Sequence, residues 1–204
     1  DYVLTITVSI AAAGQALFSF LPPQWAVLKL PIEVFLVAGL TVLNLRGVRE
    51  SVVALVPVFL VFLATHAILL VVGLFGGASG IERTATGVAA GFRHGASTLG
   101  VVGMAFLLLR AFALGGGTYT GIEAVSNGMA MMQEPKVRTA KRTMLYMAAS
   151  LAVTASGLLV CYLFWGVAPV EGKTMNASLI ERTMGLDLGG RLFAVFFVAA
   201  AAVA

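Results

Sequence analysis

The residues best suited to chemistry lie within positions 112–128, in a stretch that is otherwise apolar. Glu123 supplies a carboxyl group, and Thr118 and Thr120 supply hydroxyls. Hydroxyl oxygens, together with any carbonyl oxygens freed beside them, can surround a small solute. A carboxylate at membrane depth is costly when ionised, whereas the first turn of a helix favours the anion, and this opposition suits Glu123 to take up and release a proton.

Glycines make the same stretch unfavourable as a regular helix. Gly115, Gly116 and Gly117 are consecutive and Gly121 follows, and each costs roughly 1 kcal/mol relative to alanine in a helix interior. An unwound segment would free carbonyls and amides, which membrane proteins tolerate only inside protein or beside an aqueous cavity. A continuous helix that uses its glycines for close packing is the alternative. We predict unwinding, because close helix packing through glycines would not require a carboxyl group at Glu123.

Several other kinds of site are disfavoured. Thr120 stands where a dinucleotide-binding motif needs its third glycine, and a phosphate-loop motif is not found in the sequence. The single cysteine, Cys161, excludes a disulfide framework within the chain and a thiolate metal cluster. His66 lies in an apolar run, where we expect its ring to bond a backbone carbonyl. We therefore predict a protein that is not an enzyme and has no cofactor or transition metal.

The composition defines the elements that must position these groups. Of the 204 residues, 60% are apolar and only 11% are charged, with a mean hydropathy of +1.00, which is outside the range of soluble domains. The sequence therefore predicts an all-α, multi-pass membrane protein. Its net charge of +4 comes from residues that flank the apolar runs, so nucleic-acid binding is not expected.

Residues 1–204 contain several apolar runs of membrane-spanning length. We predict that these runs form a single transmembrane domain. We predict a glycine-rich outer connection near 76–100 and a polar loop at 167–190. Because the chain begins with an acid and ends within an apolar run, we interpret it as an internal piece of a longer protein. The predicted spans are 2–20, 28–45, 52–75, 101–132 with the broken helix, 143–166 and 191–204.

Two segments dense in basic residues indicate the orientation. They are "NLRGVRES" after the second span and "QEPKVRTAKRT" after the broken one. Basic loops are retained on the cytoplasmic side of membranes. We expect both segments to be cytoplasmic.

The motifs "TGIEAVSNG", "QEPKVRTAKRTM", "NLRGVRES" and "DYVLTITVS" together resemble the amino acid, polyamine and organocation (APC) transporter superfamily. Within it they are most similar to KimA-type potassium importers, which are related to the Kup transporters. The resemblance implies the inverted-repeat fold typified by LeuT, with this chain providing helices three to seven and the start of eight. The discontinuous element would be helix six, and the protein would lie in the plasma (cytoplasmic, inner) membrane.

The resemblance also implies roles for individual residues. Thr5 and Ser9 would lie beside the cation, Thr120 would be a cation ligand, and Glu123 would couple transport to protons. A spacing of four puts Thr5 and Ser9 on one helical face, and Thr118 is a further candidate oxygen ligand. Against this, hydroxyls in membrane helices commonly bond back to their own helix carbonyls.

Three functions remain open at this point. The first is proton-coupled uptake of K⁺, with K⁺ and H⁺ as transported ions. The second is an amino acid permease of the same fold, in which free amides near Gly121 bind the substrate carboxylate. The third is a non-transporting membrane subunit that retains the fold. The expected partners are the lipid bilayer and a small cation or amino acid, and a homodimer is left open.

Overall fold

The computed structural model describes residues 2–46, 48–115, 125–185 and 187–203. Shorter helical pieces are the 3-10 segments Pro23–Leu28, Ala78–Gly80 and Gly128–Met131 and residues 125–127. The longer α-helices are α1 (Tyr2–Phe18), α2 (Lys29–Arg46), α3 (Val48–Gly77), α4 (Ile81–Gly115), α5 (Lys136–Phe164), α6 (Met175–Met184) and α7 (Leu188–Val203).

Three stretches of the described residues are long and apolar enough to cross a membrane: Pro23–Leu43, Leu55–Gly115 and Lys136–Phe164. Two shorter apolar helical stretches are Ile6–Phe18 and Leu188–Ala200. Within the described ranges, extended pairing is limited to an isolated bridge between Val170 and Lys173. The predicted all-α class with several apolar helices is therefore confirmed. The inverted repeat and the helix numbering stay predictions.

The chain divides into two compact units, Asp1–Ala78 with Leu158–Ala204, and Ser79–Gly157. In the first unit, α7 packs against α1, α3 and α6. The buried core of this unit contains Leu69, Cys161, Leu179, Ile180, Ala194, Phe197 and Val198.

Gly73 permits the close approach of α3 to the end of α5. A Cβ atom at this position would lie 2.6 Å from the Sγ atom of Cys161. The carbonyl of Gly73 also accepts a hydrogen bond of 2.8 Å from the indole nitrogen of Trp165. The two helices are therefore joined by direct packing and by a polar contact at the same residue.

The glycine-rich segment 76–100, which we expected to be a connecting loop, is mostly helical. Helix α3 continues to Gly77, and α4 begins at Ile81. The break occurs instead at Gly100, whose φ of 68° and ψ of 173° interrupt α4. Glycines separated by three good or moderate helix formers each cost about 1 kcal/mol and do not stop a helix. A positive φ is accessible to glycine without steric penalty, so Gly100 forms the corner.

The polar loop predicted at 167–190 also contains ordered structure. Helix α6 lies within it, and Ala177, Ser178, Leu179 and Ile180 of this helix are buried. Thr174 caps the helix, because its hydroxyl accepts a hydrogen bond from the amide of Ala177 at 3.2 Å. The loop therefore contributes to the core of the first unit.

The second basic segment is part of a helix rather than a loop before one. Helix α5 begins at Lys136, seven residues before the predicted start of the span at 143. Lysine, arginine and alanine are good helix formers, and they continue the helix beyond the apolar run. The basic side chains consequently lie along a regular helical surface.

Candidate solute site

The structure describes only part of the predicted site. Thr5 lies in α1, but its side chain is outside the described ones. Ser9 lies in α1 on the wall of a cavity in the first unit, and Gly115 is the last residue of α4 in the second unit. The convergence of Ser9 with the other groups stays a prediction. The remaining members lie outside the described residues: Thr118, Thr120, Glu123, Gly116, Gly117 and Gly121.

The cavity beside Ser9 has a volume of about 460 Å³ and is formed by α1, α3, α7 and the start of α6. Small side chains of α1 leave the space open, and phenylalanines provide most of the apolar wall. Its lining is Ser9, Ala12, Ala13, Ala16, Phe20, Phe62, His66, Thr174, Asn176, Ala177, Phe197 and Val198.

His66 is the titratable group in this lining, and its ring is held on several sides. Its Nδ1 atom lies 2.9 Å from the carbonyl oxygen of Phe62, as expected from the sequence. Because a carbonyl only accepts, Nδ1 is the donor, and the neutral ring therefore carries its lone pair on Nε2. The imidazole also packs between Phe62 and Phe197, at ring-centroid distances of 4.0 and 4.4 Å. The Nε2 atom of His66 is thus a hydrogen-bond acceptor that is held in one position on the wall of this cavity.

The α6 wall of the cavity is attached to the end of α1. The Oγ atom of Ser19 accepts a hydrogen bond of 2.9 Å from the amide of Thr174, and Ser19 donates to the carbonyl of Gln15 at 2.8 Å. At the other end of α6, Arg182 donates to the carbonyls of Trp165 and Gly166 at 2.7 and 2.8 Å. These contacts hold α6 at both ends, and so they fix one wall of the cavity.

Asn176 is the polar residue of α6 that reaches the cavity. Its Oδ1 atom accepts a hydrogen bond of 2.6 Å from the hydroxyl of Tyr162 in α5. Asn176 begins an Asn-Ala-Ser glycosylation sequon, but Ser178 is buried and the amide is engaged inside the fold. The structure therefore assigns Asn176 a packing role.

A second polar cluster, between α1 and α2, was missed in the sequence. Lys29 donates to Oε1 of Gln15 at 2.8 Å and lies 3.9 Å from the carboxylate of Glu33. Glu33 packs against Gly14, where a Cβ atom would overlap its carboxylate. Within the described part of the chain, the buried Oε1 atom of Glu33 has no hydrogen-bond partner. The sequence did contain a signal for this cluster, because the base Lys29 and the acid Glu33 are four residues apart at the start of an apolar helix.

The described part of the predicted site is a small group of polar atoms on the wall of a largely apolar cavity. Ser9 contributes a hydroxyl and His66 an acceptor nitrogen to a wall that otherwise consists largely of alanines and phenylalanines. Groupings of three or more metal-ligating side chains do not occur among the described residues. The chemistry that this arrangement supports is non-covalent binding.

Comparison with known proteins agrees with this chemistry. A family model described as amino acid permease matches residues 1–204. The potassium transporter KimA of Bacillus subtilis (strain 168) is 37% identical over 190 residues, which are 92% of this chain and 30% of the relative. The chain thus spans less than a third of the length of this relative. The family and the relative are transporters, and the match confirms the motif-based assignment. With its several apolar helices, the chain is a multi-pass membrane protein that belongs to the amino acid permease family of the APC superfamily.

Proposed function

We propose that the chain is part of a proton-coupled potassium importer of the plasma membrane. The observation that carries the proposal is the position of Ser9 on the wall of the cavity shared by α1, α3, α6 and α7. The name of the KimA relative favours a cation as the solute. A hydroxyl on a largely apolar cavity wall suits a partly dehydrated K⁺ better than a fully hydrated ion.

In the proposed mechanism, K⁺ exchanges water for oxygens of Thr5, Ser9, Thr118 and Thr120. Carbonyl groups released by unwinding at Gly115–Gly117 complete the coordination. Glu123 takes up a proton on one side of the membrane and releases it on the other. Proton binding neutralises the carboxylate while the site is enclosed, which lowers the cost of moving the acid through an apolar environment.

The proposal is tested with the full-length protein in cells that lack other potassium uptake systems. Growth at limiting K⁺ and uptake of Rb⁺ should both depend on the protein. Glu123→Gln should remove the stimulation of Rb⁺ uptake by an inward proton gradient. Uptake that is absent under every gradient in the unsubstituted protein would contradict potassium import.

An amino acid permease is the second candidate, because the matching family model is described as amino acid permease. In this case the amides near Gly121 would bind the substrate carboxylate. Uptake of labelled amino acids, measured in the same cells, distinguishes the two candidates. Amino acid uptake without Rb⁺ uptake would favour the permease.

A further inference from the structure

A groove at the start of α5 is not used by the transport proposal. Its volume is about 530 Å³, and all of the side chains around it are exposed. Three of these side chains are cationic and three are apolar. They are Pro135, Val137, Arg138, Lys141, Arg142 and Leu145.

The cationic side chains have no counter-charge in the described part of the chain. Arg138, Lys141 and Arg142 form no ion pair there. Lys136 differs, because its ammonium group donates to the carbonyl of Ala130 at 3.0 Å and lies 3.9 Å from Glu134. Residues three and four apart are neighbours on a helix, and like charges at this spacing repel each other. An anion bound in the groove would remove that repulsion.

The position of the groove identifies the kind of anion. Helix α5 is long and apolar enough to cross a membrane, so its first turns lie where lipid headgroups meet the hydrocarbon. From Arg138 to Leu145 the helix rises by about 10 Å, so the three cationic side chains lie before the apolar Leu145, and Pro135 and Val137 lie before the cationic side chains. Val137 and Leu145 are 60% and 65% exposed. A phospholipid has the same sequence of chemistry, from phosphate to acyl chain.

We propose that this groove binds an anionic phospholipid. The guanidinium groups of Arg138 and Arg142 hold the headgroup phosphate, because a guanidinium presents paired donors to phosphate oxygens. Lys141 adds charge, and Leu145 contacts the upper part of an acyl chain. Juxtamembrane clusters of basic residues attract anionic lipids in this way.

The experiment measures the lipid retained by the full-length protein in equal mixtures of phosphatidylglycerol and phosphatidylcholine. After purification in mild detergent, the ratio of the two retained lipids is determined by mass spectrometry. We expect enrichment of phosphatidylglycerol in the unsubstituted protein. In the double variant Arg138→Gln with Arg142→Gln, the enrichment should fall by about fivefold for each charge removed.

Two further variants separate a specific site from general charge. Arg83→Gln with Arg93→Gln removes the same number of exposed arginines from α4 and should retain the enrichment. Arg138→Lys with Arg142→Lys keeps the charge and should retain most of it. An unchanged ratio in the Arg138 and Arg142 glutamine variant overturns the proposal, as does an equal loss in the α4 variant. Displacement of the lipid by equimolar glycerol phosphate would also overturn it, because it would indicate a site for free anions.

Discussion

Ser9 is the predicted cation ligand whose surroundings the structure describes, and its substitution gives the most direct residue-scale test. Loss of one oxygen ligand should cost about 1 kcal/mol of binding, by analogy with the loss of one hydrogen bond. We expect Ser9→Ala to raise the KM for Rb⁺ uptake by about fivefold, with a smaller effect on the maximal rate. Uptake measured over a range of Rb⁺ concentrations gives both quantities.

The control for Ser9 is another serine of a membrane helix, one whose hydroxyl is bonded within its own helix. Ser150 in α5 donates to the carbonyl of Met147 in its own helix at 3.0 Å. Ser150→Ala should leave the KM within about twofold of its original value, because a change confined to one local hydrogen bond does not reach the solute. An equal change in the two variants would show that the effect of Ser9 arises from helix stability rather than from the solute.

At the scale of elements, the packing of α3 against the end of α5 depends on the absence of a side chain at Gly73. Gly73→Ala would drive a methyl group into Cys161, and overpacking of this kind costs about 1–3 kcal/mol. Each kcal/mol should lower the Tm of the purified protein by about 2–4 °C. Gly39→Ala is the matched control, because a Cβ atom at Gly39 meets nothing within 4 Å. The prediction is wrong if both variants unfold at the same temperature.

The attachment of α6 to α5 is a second element-scale feature with a clear test. Tyr162→Phe removes the hydroxyl that bonds Asn176 and keeps the aromatic ring. The loss of this hydrogen bond should reduce the stability of the α6 attachment by about 1 kcal/mol. If opening of α6 is local, amide hydrogens of Met175–Met184 should exchange about fivefold faster. Tyr146 in α5 is exposed, so Tyr146→Phe should not alter exchange in α6. Unchanged exchange in the Tyr162 variant would mean that other contacts hold α6.

The elements differ in how far the sequence alone predicts them. Long apolar runs were sufficient to predict several long apolar helices, of which α3 and α5 are examples, because hydropathy reports the cost of placing a segment in lipid. Helix α6 was missed because the burial of Leu179 and Ile180 depends on packing against α7 and against α3, and α3 is distant in sequence. The Thr174 cap was a local signal for α6. Glu33 was missed for a related reason, since only the fold brings its carboxylate against Gly14.

At the scale of the whole molecule, the two compact units contain different parts of the predicted site. Ser9 and its cavity belong to one unit, and Gly115 belongs to the other. The sequence motifs could predict which residue types form the site. They could not predict the distances between segments that are far apart in sequence, because those distances depend on tertiary packing, which hydropathy does not report.

The orientation of the molecule is testable through the two ends of α5. Glu134 precedes Lys136–Phe164 in the sequence and Glu171 follows it. Both residues are exposed. The buried Cys161 thiol should react little, so the unsubstituted protein provides the baseline. With a membrane-impermeant maleimide, we expect Glu171→Cys to be labelled in intact cells and Glu134→Cys only after permeabilisation, because the basic segment near Glu134 is retained in the cytoplasm. The reverse pattern would contradict the predicted orientation, and labelling of both variants in intact cells would mean that α5 does not cross the membrane.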